Sequence, residues 1–154
     1  MPSITVSTTI SASPSDVWAY VESIESHVEW MADAEALRFM TDQTSGVGTT
    51  FECDTKVGPL RTTDVMRITA WEPENRMGVE HIGLVEGQGD FFLQETSTGT
   101  TRFVWEEVLY FPWFFGGTLG GFIAKPALKW VWKRNLRKLS ERVEQRARLG
   151  KPPN

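Results

Sequence analysis

The sequence predicts a single α+β domain in which seven antiparallel strands are joined to one long C-terminal helix. Three patterns carry this reading. Seven segments alternate apolar and polar residues at period two, separated by short turns rich in glycine, proline and asparagine. A short helical pattern directly follows the first segment, and the last third of the chain repeats apolar residues at helical steps. The 154 residues suit one domain over 1–149, with 150–154 as a frayed tail. A chain of this length can bury about two thirds of its unfolded surface and needs no disulfide to hold it.

Ile4, Val6 and Ile10 alternate with hydroxyl residues, as in a strand with one buried face. In the following SASPSDVWAYVESI, Ser13 can accept from the free N–H groups of a first helical turn. Pro14 suits the first helical position, and Asp16 faces the positive end of the helix dipole. Val17, Tyr20, Val21 and Ile24 continue at helical spacing, and a further turn or two is expected from Glu25 to about Met31. Strands are then expected over 36–42, 48–57, 60–72, 76–84, 89–96 and 100–111. Their short connections favour antiparallel neighbours. The β pattern ends at FPWFFGGTLGGF, and a helix is expected to begin between Thr118 and Phe122 and to run to about Arg148. Leu128, Trp132, Leu136, Leu139 and Val143 draw one apolar stripe along it, while Lys129, Lys133, Arg137 and Arg142 lie off the stripe.

Charge is distributed unevenly. Residues 1–110 carry 6 Lys/Arg against 18 Asp/Glu, whereas residues 111–154 carry 10 against 2, for a net charge of −4. A basic C-terminal segment on an acidic body either complements itself across the fold or marks a surface for an anionic partner. The single Cys53 excludes an internal disulfide, and no secretory leader is evident, which together suggest a cytoplasmic protein. No run approaches the roughly 20 apolar residues of a membrane span. Nucleic-acid binding is not expected, because the chain is acidic and carries no recognisable reading motif.

Several motifs occur in a telling order: I.V..TI.ASP.DVWAYV at the start, Trp30, VGTTFE, the I..WEPENRM hairpin, TR..W.E in the last strand, and NLRKLSERVE near the end. From about Ile4 to Glu144 the chain resembles the START-like superfamily, also called SRPBCC, birch-pollen-allergen-like or polyketide cyclase/dehydratase-related. The resemblance implies a helix-grip architecture, in which the sheet wraps the long helix and encloses a cavity. It also implies functions that range from lipid and quinone carriage to hormone sensing, aromatase/cyclase chemistry and ring hydroxylation, so fold alone leaves function open. The iron-dependent branch is set aside for want of a two-His-one-carboxylate cluster.

His81 shares a strand face with Met77 and Val79, where it can orient a ligand, act as a general base, or simply be satisfied by neighbouring strands. Asp64 lies on a face with Met66 and Ile68, and Glu107 on one with Phe103 and Trp105. A carboxylate on an apolar face must be paired, hydrogen-bonded or protonated, and Arg38 or Arg61 is the expected partner. His27 is expected on a helix surface. Two distant histidines and one cysteine make no metal signature, and no phosphate-cradling or nucleophile motif occurs, so neither metal nor cofactor is expected.

Aromatic residues are abundant, with seven Trp and nine Phe. Trp30, Phe51, Met66, His81, Phe91 and Trp105 are expected to line the cavity from the strands and the short helices. Trp113, Phe122 and Trp130 are expected to line it from the long-helix side. The expectation is a protein that binds or transfers a lipid, quinone or polyketide-like molecule. The alternative is a cyclase- or dehydratase-like enzyme using His81 with Asp64 or Glu107. A partner-binding module working through the basic helix would instead have a filled core. The Phe111–Phe115 segment beside that helix also suggests peripheral membrane contact.

Overall fold

A computed structural model describes residues 3–150, apart from the side chains of Phe115, Thr118 and Phe122. Strand β1 (Ser3–Ile10) leads into α1 (Pro14–Val21), a 3-10 turn (Ile24–Ser26) and α2 (His27–Trp30). Strands β2 (Ala34–Phe39), β3 (Thr50–Val57), β4 (Leu60–Glu72), β5 (Arg76–Ile82), β6 (Glu86–Glu95) and β7 (Thr101–Tyr110) follow. A second 3-10 turn (Trp113–Phe115) precedes α3 (Gly117–Arg148). The seven strands form one curved antiparallel sheet in the order β1-β7-β6-β5-β4-β3-β2, with α3 gripped against it. This is the helix-grip fold.

The start of α1 follows its sequence signals: the Ser13 hydroxyl accepts from Asp16 N at 3.2 Å, and Pro14 occupies the first turn. Strand β6 begins three residues earlier than expected. Gly87 and Gly89, which resemble turn residues, are paired on both sides, with His81 and Val79 of β5 and with Leu109 and Glu107 of β7. The core joins Ile4, Val6 and Ile10 of β1 to Val17 and Val21 of α1, and to Trp132, Leu136, Leu139 and Val143 of α3. Asn135, also buried on α3, accepts from Ala32 N at 3.0 Å and donates to Asp33 Oδ1 at 2.7 Å, which ties the α2–β2 connection to the helix. Of the expected tail, 151–154 lie outside the described residues.

The described ion pairs of the acidic strands are made within the sheet itself. Arg38 pairs with Glu52 and Asp54, Arg61 with Glu35, Arg67 with Glu80, and Arg76 with Asp90, all within the sheet. Lys129, Lys133, Arg134 and Arg137 are exposed on α3. Among the described residues no helix is long and apolar enough to cross a membrane.

Candidate functional site

Between the concave sheet and α3 lies a cavity of about 240 Å³. That is more than one and a half times the roughly 150 Å³ engineered cavity known to take up benzene. Period-two alternation supplies one wall: Phe51, Cys53, Met66, Ile68, Met77, Val79, Phe91, Trp105 and Leu109 all turn inward. Ala124, Ala127 and Leu128 of α3, with Phe111, supply the other. The core is therefore not filled, in contrast to the arrangement a helix-surface binding module requires.

A small polar cluster interrupts this apolar lining. His81 on β5 and Glu107 on β7 reach toward each other across β6, where Gly89 lies directly opposite Glu107. A Cβ at Gly89 would stand 2.8 Å from Glu107 Oε1, so the missing side chain is what admits the carboxylate. His81 Nε2 lies 3.3 Å from Glu107 Oε1, an ion-pair distance without the alignment of a good hydrogen bond. Trp105 Nε1 donates to the same oxygen at 3.1 Å. Burial disfavours the charged imidazole, but Glu107 beside it and Asp64 nearby outweigh this and raise the His81 pKa. Asp64 accepts from Thr62 Oγ1 at 2.8 Å and from Leu84 N at 3.2 Å. Gly83 leaves space against its Oδ1.

The expected arginine partners for these two carboxylates are not the ones the fold provides. Arg38 and Arg61 are held by Glu52, Asp54 and Glu35. A hydroxyl, a backbone N–H, an indole and a histidine satisfy Asp64 and Glu107 instead. His27 corrects a second expectation. It is buried rather than on a helix surface, lines the cavity, and donates from Nε2 to the Val21 carbonyl at 2.8 Å. Burial lowers its pKa to about 4, so it stays neutral near pH 7.

Of the expected lining residues, Phe51, Met66, His81, Phe91 and Trp105 border the cavity, as do Asp64 and Glu107. Trp30 is fully buried one layer behind, packed on Phe91, Phe103 and Trp105 at centroid distances of 5.8, 6.5 and 6.0 Å. Trp113 and Trp130 point outward, 85% and 60% exposed, and Arg134 lies 4.7 Å over the Trp130 ring. The Phe122 side chain lies outside the described residues. Asp33 and Cys53 border the cavity without having been expected there, and Trp132, expected on the buried stripe of the long helix, borders it too. Trp132 stacks on Trp105 at 4.8 Å and brings its indole N–H toward Asp33 without a well-formed hydrogen bond. Burial raises the Asp33 pKa against the hydrogen bond from Asn135. It also raises the Cys53 thiol to about 11, which makes a poor nucleophile. Among the described residues no three His, Cys, Asp or Glu side chains are placed to hold a metal ion.

A partly open apolar chamber in a helix-grip fold, with a few inward polar groups, is the architecture of a cavity-binding protein. This chain belongs to the family described as polyketide cyclase / dehydrase and lipid transport, whose family model matches residues 1–148. No curated protein is similar enough to match. Among solved structures it is similar to TTHA0849 from Thermus thermophilus, with TM-score 0.77 and 19% identity over 92% of this chain and 97% of that one. It is also similar to the Zhui aromatase/cyclase from Streptomyces sp. R1128, with TM-score 0.73 and 16% identity over 97% and 98%. A third is the di-domain ARO/CYC StfQ of the steffimycin biosynthetic pathway, with TM-score 0.77 and 14% identity over 95% of this chain and 51% of that one. At these identities the likeness establishes the fold.

Proposed function

We propose that this protein binds a hydrophobic small molecule in the chamber between sheet and helix, and transfers it from one site to another. The observation that carries the reading is the cavity itself: a mostly apolar space of about 240 Å³ into which a few polar groups reach, the His81–Glu107 pair among them. Burying apolar ligand surface contributes roughly 25 cal/mol per Å², while a few polar groups fix orientation. The lining residues proposed to make contact are Phe51, Met66, His81, Phe91 and Trp105.

The outer face of α3 supports delivery at a lipid surface. Leu119, Ile123 and Trp130 recur at helical spacing on an exposed face, next to exposed Trp113 and Phe114, and Lys129 and Lys133 flank them. Aromatic and aliphatic side chains suit the headgroup boundary, and lysines suit anionic lipid. The same helical segment supplies Ala124, Ala127 and Leu128 to the cavity wall, so docking would bring the chamber close to the membrane. The unpaired, buried Cys53 accords with a cytoplasmic setting.

Mass analysis of organic extracts of the purified protein tests the central reading, together with titration by the neutral fluorophore N-phenyl-1-naphthylamine. The expected result is a co-purifying apolar compound and saturable fluorophore binding that is lost in the cavity-filling variant Val79→Phe. Binding unchanged by that variant, or absent altogether, rejects the chamber as the site. For the membrane face, co-sedimentation with anionic vesicles should fall in the Trp113→Ala/Phe114→Ala variant, and an unchanged fraction would reject it.

A cyclase- or dehydratase-like activity is the second reading, and one observation favours it. His81 and Glu107 meet 3.3 Å apart inside the cavity, with the field of Asp64 on His81, an arrangement suited to proton transfer to a bound substrate. Its signature would be a Glu107→Gln variant that still binds the compound but no longer converts it.

A further inference from the structure

The cavity's charge pattern deepens the binding reading, on which this inference rests, by limiting the kind of polar group the ligand can bring. Asp33, Asp64 and Glu107 border the chamber, and among the described residues no lysine or arginine lines it. Asp90 also borders it, but Arg76 neutralises that carboxylate through bonds of 2.9 and 2.8 Å. His27 is neutral and committed to Val21. That leaves one imidazole, His81, against three carboxyl groups. Glu107 meets both the Trp105 hydrogen bond and the His81 ion-pair contact on Oε1, and Oε2 carries neither.

A buried carboxylate or phosphate brought here would meet like charge in a medium that screens poorly, with no lysine or arginine to receive it and with His81 already held by Glu107. A hydroxyl, amine or amide N–H would instead find acceptors already in place. We infer that the chamber selects compact hydrophobic ligands whose polar group donates hydrogen bonds or carries positive charge, and discriminates against carboxylate- and phosphate-bearing amphiphiles. The contrast with the outside of the same helix is direct. Lys129 and Lys133 can hold the protein on an anionic lipid surface, while the carboxylates within refuse that surface's charged lipids.

Three probes of matched size and different charge test this by calorimetry on the full chain at neutral pH: 1-naphthylmethanol, 1-naphthylmethylamine and 1-naphthoate. The alcohol and the amine should bind, with naphthoate weaker by about tenfold or more. Asp64→Asn and Glu107→Gln, each made separately, should narrow the gap by improving naphthoate binding. Naphthoate binding as tightly as the alcohol in the unmodified protein would overturn the inference while leaving the chamber as a binding site. Failure of all three probes and of the neutral fluorophore would reject the chamber as a binding site and the inference with it. Because the ranking is read in the unmodified protein, a variant that does not fold leaves the test intact.

Discussion

From Trp132 onward, through its C-terminal half, α3 turns Trp132, Leu136, Leu139 and Val143 into the core and leaves Lys133, Arg134 and Arg137 in solvent. In its N-terminal half, Leu119 and Ile123 are 68% and 72% exposed, while small residues, Ala124 and Ala127, face the chamber. Pro126 sits there as well and cannot donate to the carbonyl four residues back. One half follows the rule for a stable amphipathic helix and the other departs from it. Exposed aliphatic side chains on a helix bring no packing energy, and alanines against a void forgo it. A departure of this kind, concentrated where the cavity wall is built, does not serve stability and accords with the ligand transfer proposed above.

Leu139→Ala gives the largest expected effect and the strongest challenge to this comparison. Leu139 is fully buried, and removing its side chain should cost about 2–5 kcal/mol through lost transfer energy and a cavity. Chemical denaturation of the variant measures this directly. A loss below about 1 kcal/mol would mean that the C-terminal half is not the anchored half.

Acid provides the next test, because His27, the first residue of α2, is buried with its ring against Trp30 and Phe91. Its folded pKa of about 4 lies below the ordinary value of about 6.5, so between these values the unfolded chain binds a proton that the folded chain refuses. Stability is therefore lost as pH falls through this window, by about 3 kcal/mol in all. His81 has the opposite sign: its raised pKa contributes stability that is fully present below about pH 6.5 and is lost as pH rises through its folded value. Above the ordinary carboxylate range the acid slope thus belongs to His27, and below it Asp54 and Glu144, whose pKa values are lowered, add to the loss. In His27→Gln, which keeps a donor for the Val21 carbonyl, melting temperatures at about pH 7 and about pH 5 should draw together.

Most of the architecture was readable because period-two and period-3.6 patterns both report burial. The stripe from Leu128 to Val143 is such a pattern, and it also contains the signal that Trp130 faces away, since a residue two places along a helix lies nearly opposite. Aromatic identity pointed to a pocket wall where periodicity pointed to solvent, and periodicity was the better guide. His27 was not readable in the same way, because a four-residue helix is too short to draw a stripe. The partners of Asp64 and Glu107 depend on strand register and on the gaps left by Gly83 and Gly89, which no local pattern encodes. Asp33 escaped for a related reason: its place at the cavity is set by Asn135, 102 residues away in sequence.

Asn135→Ala should have a middle-sized effect, about 1–3 kcal/mol, because it strips a partner from both the Ala32 N–H and the Asp33 carboxyl. Asn135→Asp separates the two roles: it keeps an acceptor for Ala32 but sets a carboxyl against Asp33, and should raise the Asp33 pKa further.

The smallest expected effect lies on the outer face of the N-terminal half. Ile123→Ser and Trp130→Ser should each change stability by no more than about 0.5 kcal/mol, since neither side chain is buried. Ile123→Ser is nearly neutral in helix propensity, and Trp130→Ser releases the Arg134 guanidinium from its ring. Both variants should nevertheless bind anionic vesicles less well, because they remove apolar surface and leave the neighbouring lysines in place. Denaturation and co-sedimentation measured on the same preparations separate the two quantities. A loss of stability comparable to that of Leu139→Ala would show that the exposed stripe packs against something within the fold, and the contrast between the two halves of α3 would collapse.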